Sequence, residues 1–346
     1  MLKQLYSRLS WKAQRYAIKK SVDNNLIASI YYGFFNHQHM REIKAVAAGQ
    51  VRYAQDHAGD APSYYMLRRN IHRLEKGLIM RPRRRVFAAD FINDTVGVYA
   101  RAAAQPDSDQ APEVVWAHDV LDAYFAAVDR EEPRIARAYA KFEEVERSAH
   151  QARNYRSAPY QRDLDGPPPV DFKAMQELAE RRRSVRWYLD KPVDRGLIDQ
   201  ALAVAGQSPS ACNRQPFHFR IFDQKDLVKK VAAIPMGTKG FSDNLPAVAV
   251  VVGQLRAYPL ERDKHVIYID GSLAAMSFMY ALESLGLSSC PINWPDQEPQ
   301  ESQMRAALNL EADERVVMLI GFGWPDPEGQ VARSTKRPVP ELRRFN

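Results

Sequence analysis

Ser208-Pro209-Ser210-Ala211-Cys212-Asn213-Arg214-Gln215-Pro216-Phe217 and, upstream, Arg182-Arg183-Ser184-Val185-Arg186 decide the reading of the second half of this 346-residue chain. The longer stretch is a turn of small and amide-bearing residues that runs into an apolar strand, a shape suited to the edge of a flat polar heterocycle. The shorter stretch crowds guanidiniums around a hydroxyl. Guanidiniums donate in pairs, which suits a phosphate dianion. A ring grip and a phosphate grip in one domain imply a phosphorylated planar cofactor.

Outward from these segments, strands and helices alternate. Phe172 to Arg183 is predicted to be a helix that delivers the arginines near its end. Asp194 suits the cap of a helix with Leu197, Ile198, Ala201, Leu202 and Ala205 on one face. Phe217 to Phe222 alternates Phe217, Phe219 and Ile221 against His218 and Arg220, the pattern of a half-buried strand. Ala247 to Val252 is wholly apolar and mostly β-branched, as expected in the middle of a sheet. Ile267 to Leu287 reads as a long helix, apolar on nearly every side and closed by Gly286. Val316 to Phe322 is another apolar strand. Gly321-Phe322-Gly323 is followed by Pro325 and Asp326 rather than a third glycine and a helix, so it is not a dinucleotide fingerprint. A layered α/β or α+β domain is predicted over 171–346.

The first half has a different texture. Residues 1–156 read as a helical region with breaks at Gly59-Asp60-Ala61-Pro62, Arg81-Pro82 and Gln105-Pro106-Asp107-Ser108-Asp109. Glu113 to His150 reads as two helices interrupted near Pro133. Residues 157–170, with Gly166-Pro167-Pro168-Pro169, form the best linker, because consecutive prolines stop a helix and stiffen a connection.

Charge follows the same division. The net charge is +7, but residues 1–101 hold 18 Lys/Arg against 7 Asp/Glu, or +11, so the basic bias belongs to the N-terminal region. An anionic partner is the natural first reading. On a helix ending at Gly77, Arg69, His72, Arg73 and Lys76 share a face, and Arg83, Arg84 and Arg85 follow Pro82. Together they make an anion site for a phosphorylated or carboxylated substrate or an anionic membrane surface; the competing reading is a solvated or salt-bridged face. Nucleic acid is disfavoured by the scarcity of interleaved aromatics. Residues 1–22, basic and free of acidic side chains, could form a surface helix or a transit peptide; a helix packed on its own protein is the plainer reading.

Two cysteines, Cys212 and Cys290, in a chain this long indicate a reducing, cytoplasmic compartment. Neither has a histidine placed by sequence to activate it, and both read as inert small residues. The histidines form no metal-ligand spacing, so no metal is expected. Trp294 reads as a packing residue.

With these motifs in order, the region 180–340 resembles the FMN-dependent nitroreductase family. Four features carry the likeness: Arg182 to Arg186, the Ser208 to Pro216 turn, the Gly271–Leu287 helix leading to Pro291, and Ile320-Gly321-Phe322-Gly323 followed by basic residues. The resemblance implies an α+β sandwich with a central, mainly antiparallel sheet flanked by helices, here preceded by a helical region. It implies a homodimer with FMN at the interface. Arg182, Arg183, Ser184 and Arg186 would then hold phosphate and ribityl chain. Pro209, Ser210 and Ala211 would lie against the ring bound to the partner, with Asn213 and Gln215 offering amides. Pro291, Ile292 and Asn293 would border the other ring face, Arg333 and Lys336 would close on the phosphate, and Lys239 would reach the pyrimidine side. Asn293 stands where an acidic residue or glycine is common in that family.

The activity implied is hydride transfer from NAD(P)H through flavin N5 to a small organic acceptor, which the basic helix suggests could be anionic. Two alternatives remain at this level: a catalytically silent flavin- or ligand-binding partner in a biosynthetic complex, and a flavin-dependent oxidase or dehydrogenase.

Overall fold

The computed structural model describes residues 13–35, 39–59, 64–106, 111–145 and 157–346. The breaks expected at 60–62 and 107–109, and Leu2, Leu5 and Leu9 of the basic N-terminal stretch, lie outside the described residues. Residues 13–21 are helical (α1), followed by α2 at Asn25–Ile30. Among the described residues no helix is long and apolar enough to cross a membrane.

The N-terminal region is helical as predicted: α3 spans Met40–Ala58, α4 Tyr64–Leu78, α5 Ile92–Ala103, α6 Pro112–Ala127 and α7 Pro133–Glu143. Pro133 opens α7, where a proline's missing N–H costs nothing, and the Glu132 carboxylate caps the exposed amides of Arg134 and Ile135. Helices α4 to α7 close around a core of their own, built on Leu67, Ile71, Leu74, Tyr99, Tyr124 and Phe125. Helix α3 does something else. Its Ala45 and Val46 pack against Leu255, Ala257, Tyr258 and Ile267 of the C-terminal half. Gly49 permits the approach: a Cβ there would stand 2.8 Å from the Leu255 carbonyl carbon.

After 157–170, which holds no regular structure, come α8 at Phe172–Arg181 and α9 at Arg195–Ala205. Asp194 caps α9 by accepting the Gly196 amide at 2.6 Å, as its sequence predicts. Then follow β1 Phe217–Phe222, α10 Lys225–Ala232, β2 Ala247–Gln254, α11 Val266–Ser284, β3 Ser288–Asn293, α12 Gln300–Leu308, β4 Glu314–Gly323 and a last short helix, α13, at Val339–Leu342. The α+β expectation holds: one sheet of order β1-β2-β4-β3, antiparallel at every pairing, lies between helical layers. The β2 run is buried on both faces from Ala247 to Gly253 because each face carries a layer. On one face Val248, Val250 and Val252 meet α10 and α12; on the other Ala247, Ala249 and Val251 meet α9 and α11. Edge strand β1 is half-buried on both faces instead of alternating cleanly, since both its faces are partly covered. Helix α11 stops at Ser284, with Gly286 at φ +81° turning the chain into β3. Trp294 is buried and its indole donates to Glu301.

Two buried arginines fasten the layers. Arg256 donates to Asp313 from its main chain at 3.0 Å and its guanidinium at 2.7 Å, and reaches Glu311. Arg315 faces Glu301 at 2.9 Å and Asp296 at 3.2 Å, and also Glu42 of α3. Burial alone would favour the neutral guanidinium, but these carboxylates hold both arginines above their ordinary values.

Candidate functional site

Two groups of residues are built with unusual care, and α11 runs between them. The first follows α8. The Val185 amide donates to the Ser289 carbonyl at 3.1 Å, and Ser184 makes a parallel bridge with Ser289, so the arginine segment lies along the outer edge of β3. Tyr188 fixes its far end. The Tyr188 hydroxyl donates to the Val185 carbonyl at 2.7 Å, while Asn244 accepts the Tyr188 amide at 2.7 Å and donates to its carbonyl at 3.1 Å.

At the start of this segment Arg181 pairs with Glu283 at 2.9 Å. Arg182, Arg183 and Arg186 have no ion pair among the described residues. Arg183 donates to the Arg182 carbonyl, and Arg186 lies over the Phe241 ring at 5.5 Å. The side chain of Ser289, fully buried, has no hydrogen-bond partner. Burial pushes the adjacent Cys290 thiol up, with Arg186 and Arg182 pulling the other way. A set of unspent guanidiniums beside a hydroxyl and an orphaned buried Ser289 Oγ fits a phosphate-bearing group.

Around it stand the other residues expected there. Pro291 and Asn293 are exposed and Ile292 buried on β3, whose outer edge has no strand partner. Lys239 is exposed on the loop between Met236–Thr238, which packs beside β3, and Phe241 under Arg186. Arg333 and Lys336 lie in an exposed segment without regular structure and, among the described residues, make no hydrogen bond or ion pair with the arginine cluster; that segment departs from beside Trp187, where the Asp326 amide donates to the Trp187 carbonyl.

The second group is the turn at 208–215. Cys212, Asn213 and Gln215 have φ of +54°, +50° and +51°, left-handed values that cost non-glycine residues energy and persist only where the surroundings impose them. The imposing groups can be named. Asp270 of α11, almost fully buried, accepts the Ala211 amide at 3.0 Å and the Tyr258 hydroxyl at 3.1 Å. Burial drives the Asp270 carboxyl above the ordinary aspartate value, and those two donors with Arg214 oppose it. Ser210 accepts the Gln215 amide at 3.0 Å, and Ser208 bonds Ser277 of α11 at 2.7 Å. Pro209 stays exposed at the front of the turn and Ala211 is half-buried behind it.

The remaining brace comes from the N-terminal region. Arg68 of α4 donates to the Asn213 carbonyl at 2.7 Å and to the Gln215 side-chain oxygen at 2.6 Å, and pairs with Glu113 at 2.9 Å. Gln215 donates in turn to the Gly206 carbonyl at 2.6 Å, so both ends of its amide are engaged within the protein. Burial lowers the Arg68 pKa against the pull of Glu113. Sequence reasoning selected the adjacent face of α4 and missed Arg68, as it missed Asp270, Tyr258, Tyr188 and Asn244. Only the long-range fold brings these to their partners.

The four basic residues of that face have separate environments. Arg73 stacks 3.6 Å from the Phe91 ring centroid, and burial together with the like charge of Arg69 lowers its pKa while Asp90 and Cys212 oppose. Arg69 is half-buried beside it with no ion pair among the described residues. His72 pairs with Glu75 at 3.5 Å, and Lys76 is exposed. Cys212 and Cys290 are unbridged.

Arg68→Ala is expected to cost about 3 kcal/mol, because it strands Glu113 and two acceptors in a partly buried place. Denaturant unfolding of the full chain, with amide exchange at 211–215, checks it. Arg68→Lys should restore only part, lacking the planar fork. An unchanged midpoint and unchanged exchange would dismiss the brace.

With this geometry in view, comparison with known proteins places the C-terminal half. The Nitroreductase family model matches residues 179–239 and 230–324, which include both groups and all four strands, and leaves the N-terminal helices uncovered. Among relatives, iodotyrosine deiodinase 1 of Pongo abelii is 24% identical over 197 residues, 48% of this chain and 66% of that protein. The match thus spans slightly less than two thirds of the deiodinase's length. A protein of Archaeoglobus fulgidus described as an NADH dehydrogenase/NAD(P)H nitroreductase is 28% identical over 151 residues, 42% of this chain and 83% of its own. Among solved structures, an FMN-dependent nitroreductase of Clostridium difficile R20291 aligns at 24% identity with a TM-score of 0.42, over 49% of this chain and 98% of that one.

Proposed function

We propose that this chain is an FMN-dependent oxidoreductase that accepts hydride from NAD(P)H and passes it to a small organic acceptor, working as a homodimer. The observation that carries the reading is the pairing of unspent guanidiniums at Arg182 and Arg186 with a braced left-handed turn at Cys212 to Gln215. The Nitroreductase family match over both segments supports it, and so does the name of the Archaeoglobus relative.

The need for a second copy follows from α11. The turn meets this helix at Asp270 and the arginine segment meets it at Glu283. At about 1.5 Å per residue these points are about 20 Å apart along the axis, farther than a short ribityl tether separates a ring from its phosphate. Two copies, each lending its turn to the other's phosphate seat, remove the mismatch. Ile269 and Leu273, one turn apart and exposed on α11 beside Asp270, suit a surface that such a partner covers.

When bound, FMN would supply reversible hydride chemistry at its ring. The chain's residues supply placement and field. Arg182, Ser184 and Arg186 would hold the phosphate, with Arg183 behind them. Lys239, and Arg333 and Lys336 if their segment folds inward, would add positive charge around the cofactor. Positive charge near the ring favours its anionic reduced form. Pro291, Ile292 and Asn293 would border the ring along the free edge of β3, where a main-chain N–H can meet a ring nitrogen. Pro209, Ser210 and Ala211 would face the ring held by the partner. The Asn213 side chain makes no hydrogen bond among the described residues and would be offered to that ring, whereas Gln215 serves the turn.

Arg69 and Arg73 would receive an anionic end of the acceptor. They are adjacent, half-buried and beside Cys212, and Phe91 holds one of them flat. His72, engaged by Glu75, and exposed Lys76 stand farther out on the same face.

A visible spectrum of the purified full chain tests the reading. Flavin absorbance that NADH or NADPH bleaches, and that an organic acceptor restores, is expected. A colourless chain that takes up no FMN would end the proposal, and colour that neither nucleotide bleaches would replace it with a silent binding role. Arg69→Ala/Arg73→Ala should lower kcat/KM for a carboxylated acceptor about tenfold or more while sparing a neutral quinone.

A further inference from the structure

The Arg81 to Arg85 segment, which the sequence joins to the basic face of α4, has a place of its own. Arg81, Arg83, Arg84 and Arg85 line a cavity of about 700 Å³ beyond the end of α4, with Leu78 and Ala123 in its apolar wall and Tyr160 of the linker at its rim. That volume falls within the range of about 300–1,000 Å³ typical of small-molecule sites. Along α4 it begins about 15 Å from Arg68, at about 1.5 Å per residue, and it touches neither the turn nor the phosphate seat.

The segment is held in place. The Asp129 amide donates to the Arg85 carbonyl at 2.8 Å, and the Tyr124 hydroxyl donates to the Phe87 carbonyl at 2.8 Å. The Phe87 ring presses on Gly77 so closely that a Cβ there would stand 2.2 Å from it. The chain is therefore held at Arg85 and at Phe87 just beyond it, against α4 and the end of α6, before any ligand arrives. Among the described residues the segment's charge is largely uncompensated. Asp129 lies 3.7 Å from Arg85, and Arg81, Arg83 and Arg84 have no carboxylate in ion-pair distance among the described residues. Neighbouring like charges repel, and one carboxylate cannot offset four guanidiniums.

We propose that this cavity binds a diphosphate group carried by an organic body. Paired phosphates offer the charge and the acceptor oxygens that clustered guanidiniums take up two at a time. The apolar wall and the Tyr160 ring give the organic body a surface to cover. The site is independent of the flavin reading, and its test needs no turnover. The same chemistry comes free in solution or as a lipid headgroup, and the probes separate the two.

The full chain is titrated calorimetrically with ADP and with inorganic pyrophosphate at low ionic strength. Saturable binding is expected, tighter for ADP, and weaker as salt rises. Arg83→Ala/Arg84→Ala, both at exposed positions, should weaken it at least tenfold with the circular dichroism spectrum and flavin content unchanged, and Arg83→Lys/Arg84→Lys should recover part. Co-sedimentation with phosphatidylcholine vesicles containing CDP-diacylglycerol, whose headgroup carries a diphosphate, reversed by pyrophosphate and lost in the alanine variant, would also support the site and assign it to a headgroup. Absence of binding to all three probes, or equal binding by the alanine variant, overturns the proposal.

Discussion

Arg182→Ala/Arg186→Ala is expected to weaken FMN binding by about 10²- to 10⁴-fold, since each hydrogen bond to a charged partner contributes about 1.5–3 kcal/mol. Two features make the effect large. Among the described residues neither guanidinium is spent on a carboxylate, so both are available to the ligand. Their main chain is fixed by β3, Tyr188 and Asn244, so little ordering is needed on binding. Fluorescence titration of the flavin-stripped chain with FMN measures the change. Arg183→Ala should do less, because that guanidinium is turned onto the Arg182 carbonyl. A double variant that emerges from gel filtration with its full complement of flavin would show that the phosphate sits elsewhere.

Asp313→Ala should destabilise the chain by about 3–5 kcal/mol, the cost of leaving a buried charge without its partner. Arg256 is nearly inaccessible and directs a main-chain amide and its guanidinium at Asp313, with Glu311 as a more exposed second partner. The Leu255 amide donates to the Asp313 carbonyl at 3.1 Å, so the same junction seats α3. Urea unfolding reads the loss. Arg256→Met/Asp313→Leu, which removes both charges, should recover most of it. A loss below about 1 kcal/mol for Asp313→Ala would mean that Glu311 and water suffice.

What could be read in the sequence was local. The β-branched run of β2, the apolar helix α11 closed by Gly286, the Asp194 cap and Pro133 at the start of α7 each depend on near neighbours, and each has the predicted form. The Nitroreductase match over 179–324 agrees with the motifs that suggested it. What could not be read was long-range. Arg68 chooses Asn213 and Gln215 from across the chain, and its own neighbours say nothing of them. Asn213 tolerates its left-handed value, but those at Cys212 and Gln215 fall on residues that ordinarily avoid them, and the turn is held there by Asp270 and Arg68. Helix α3 reads as one more helix of the N-terminal region, yet its small residues seat it on the other half. The basic run at 68–85 reads as one charged surface, and only the turn at Arg81 to Arg85 divides it.

The grip of Arg68 on the 208–215 turn bears on how portable the C-terminal half can be. A gene that shed its first 150 codons would keep every residue of the family pattern and still lose the prop beneath that turn. Grafted onto another carrier, the half would need a new cation at the same spot, or a different answer to the cost of its left-handed residues.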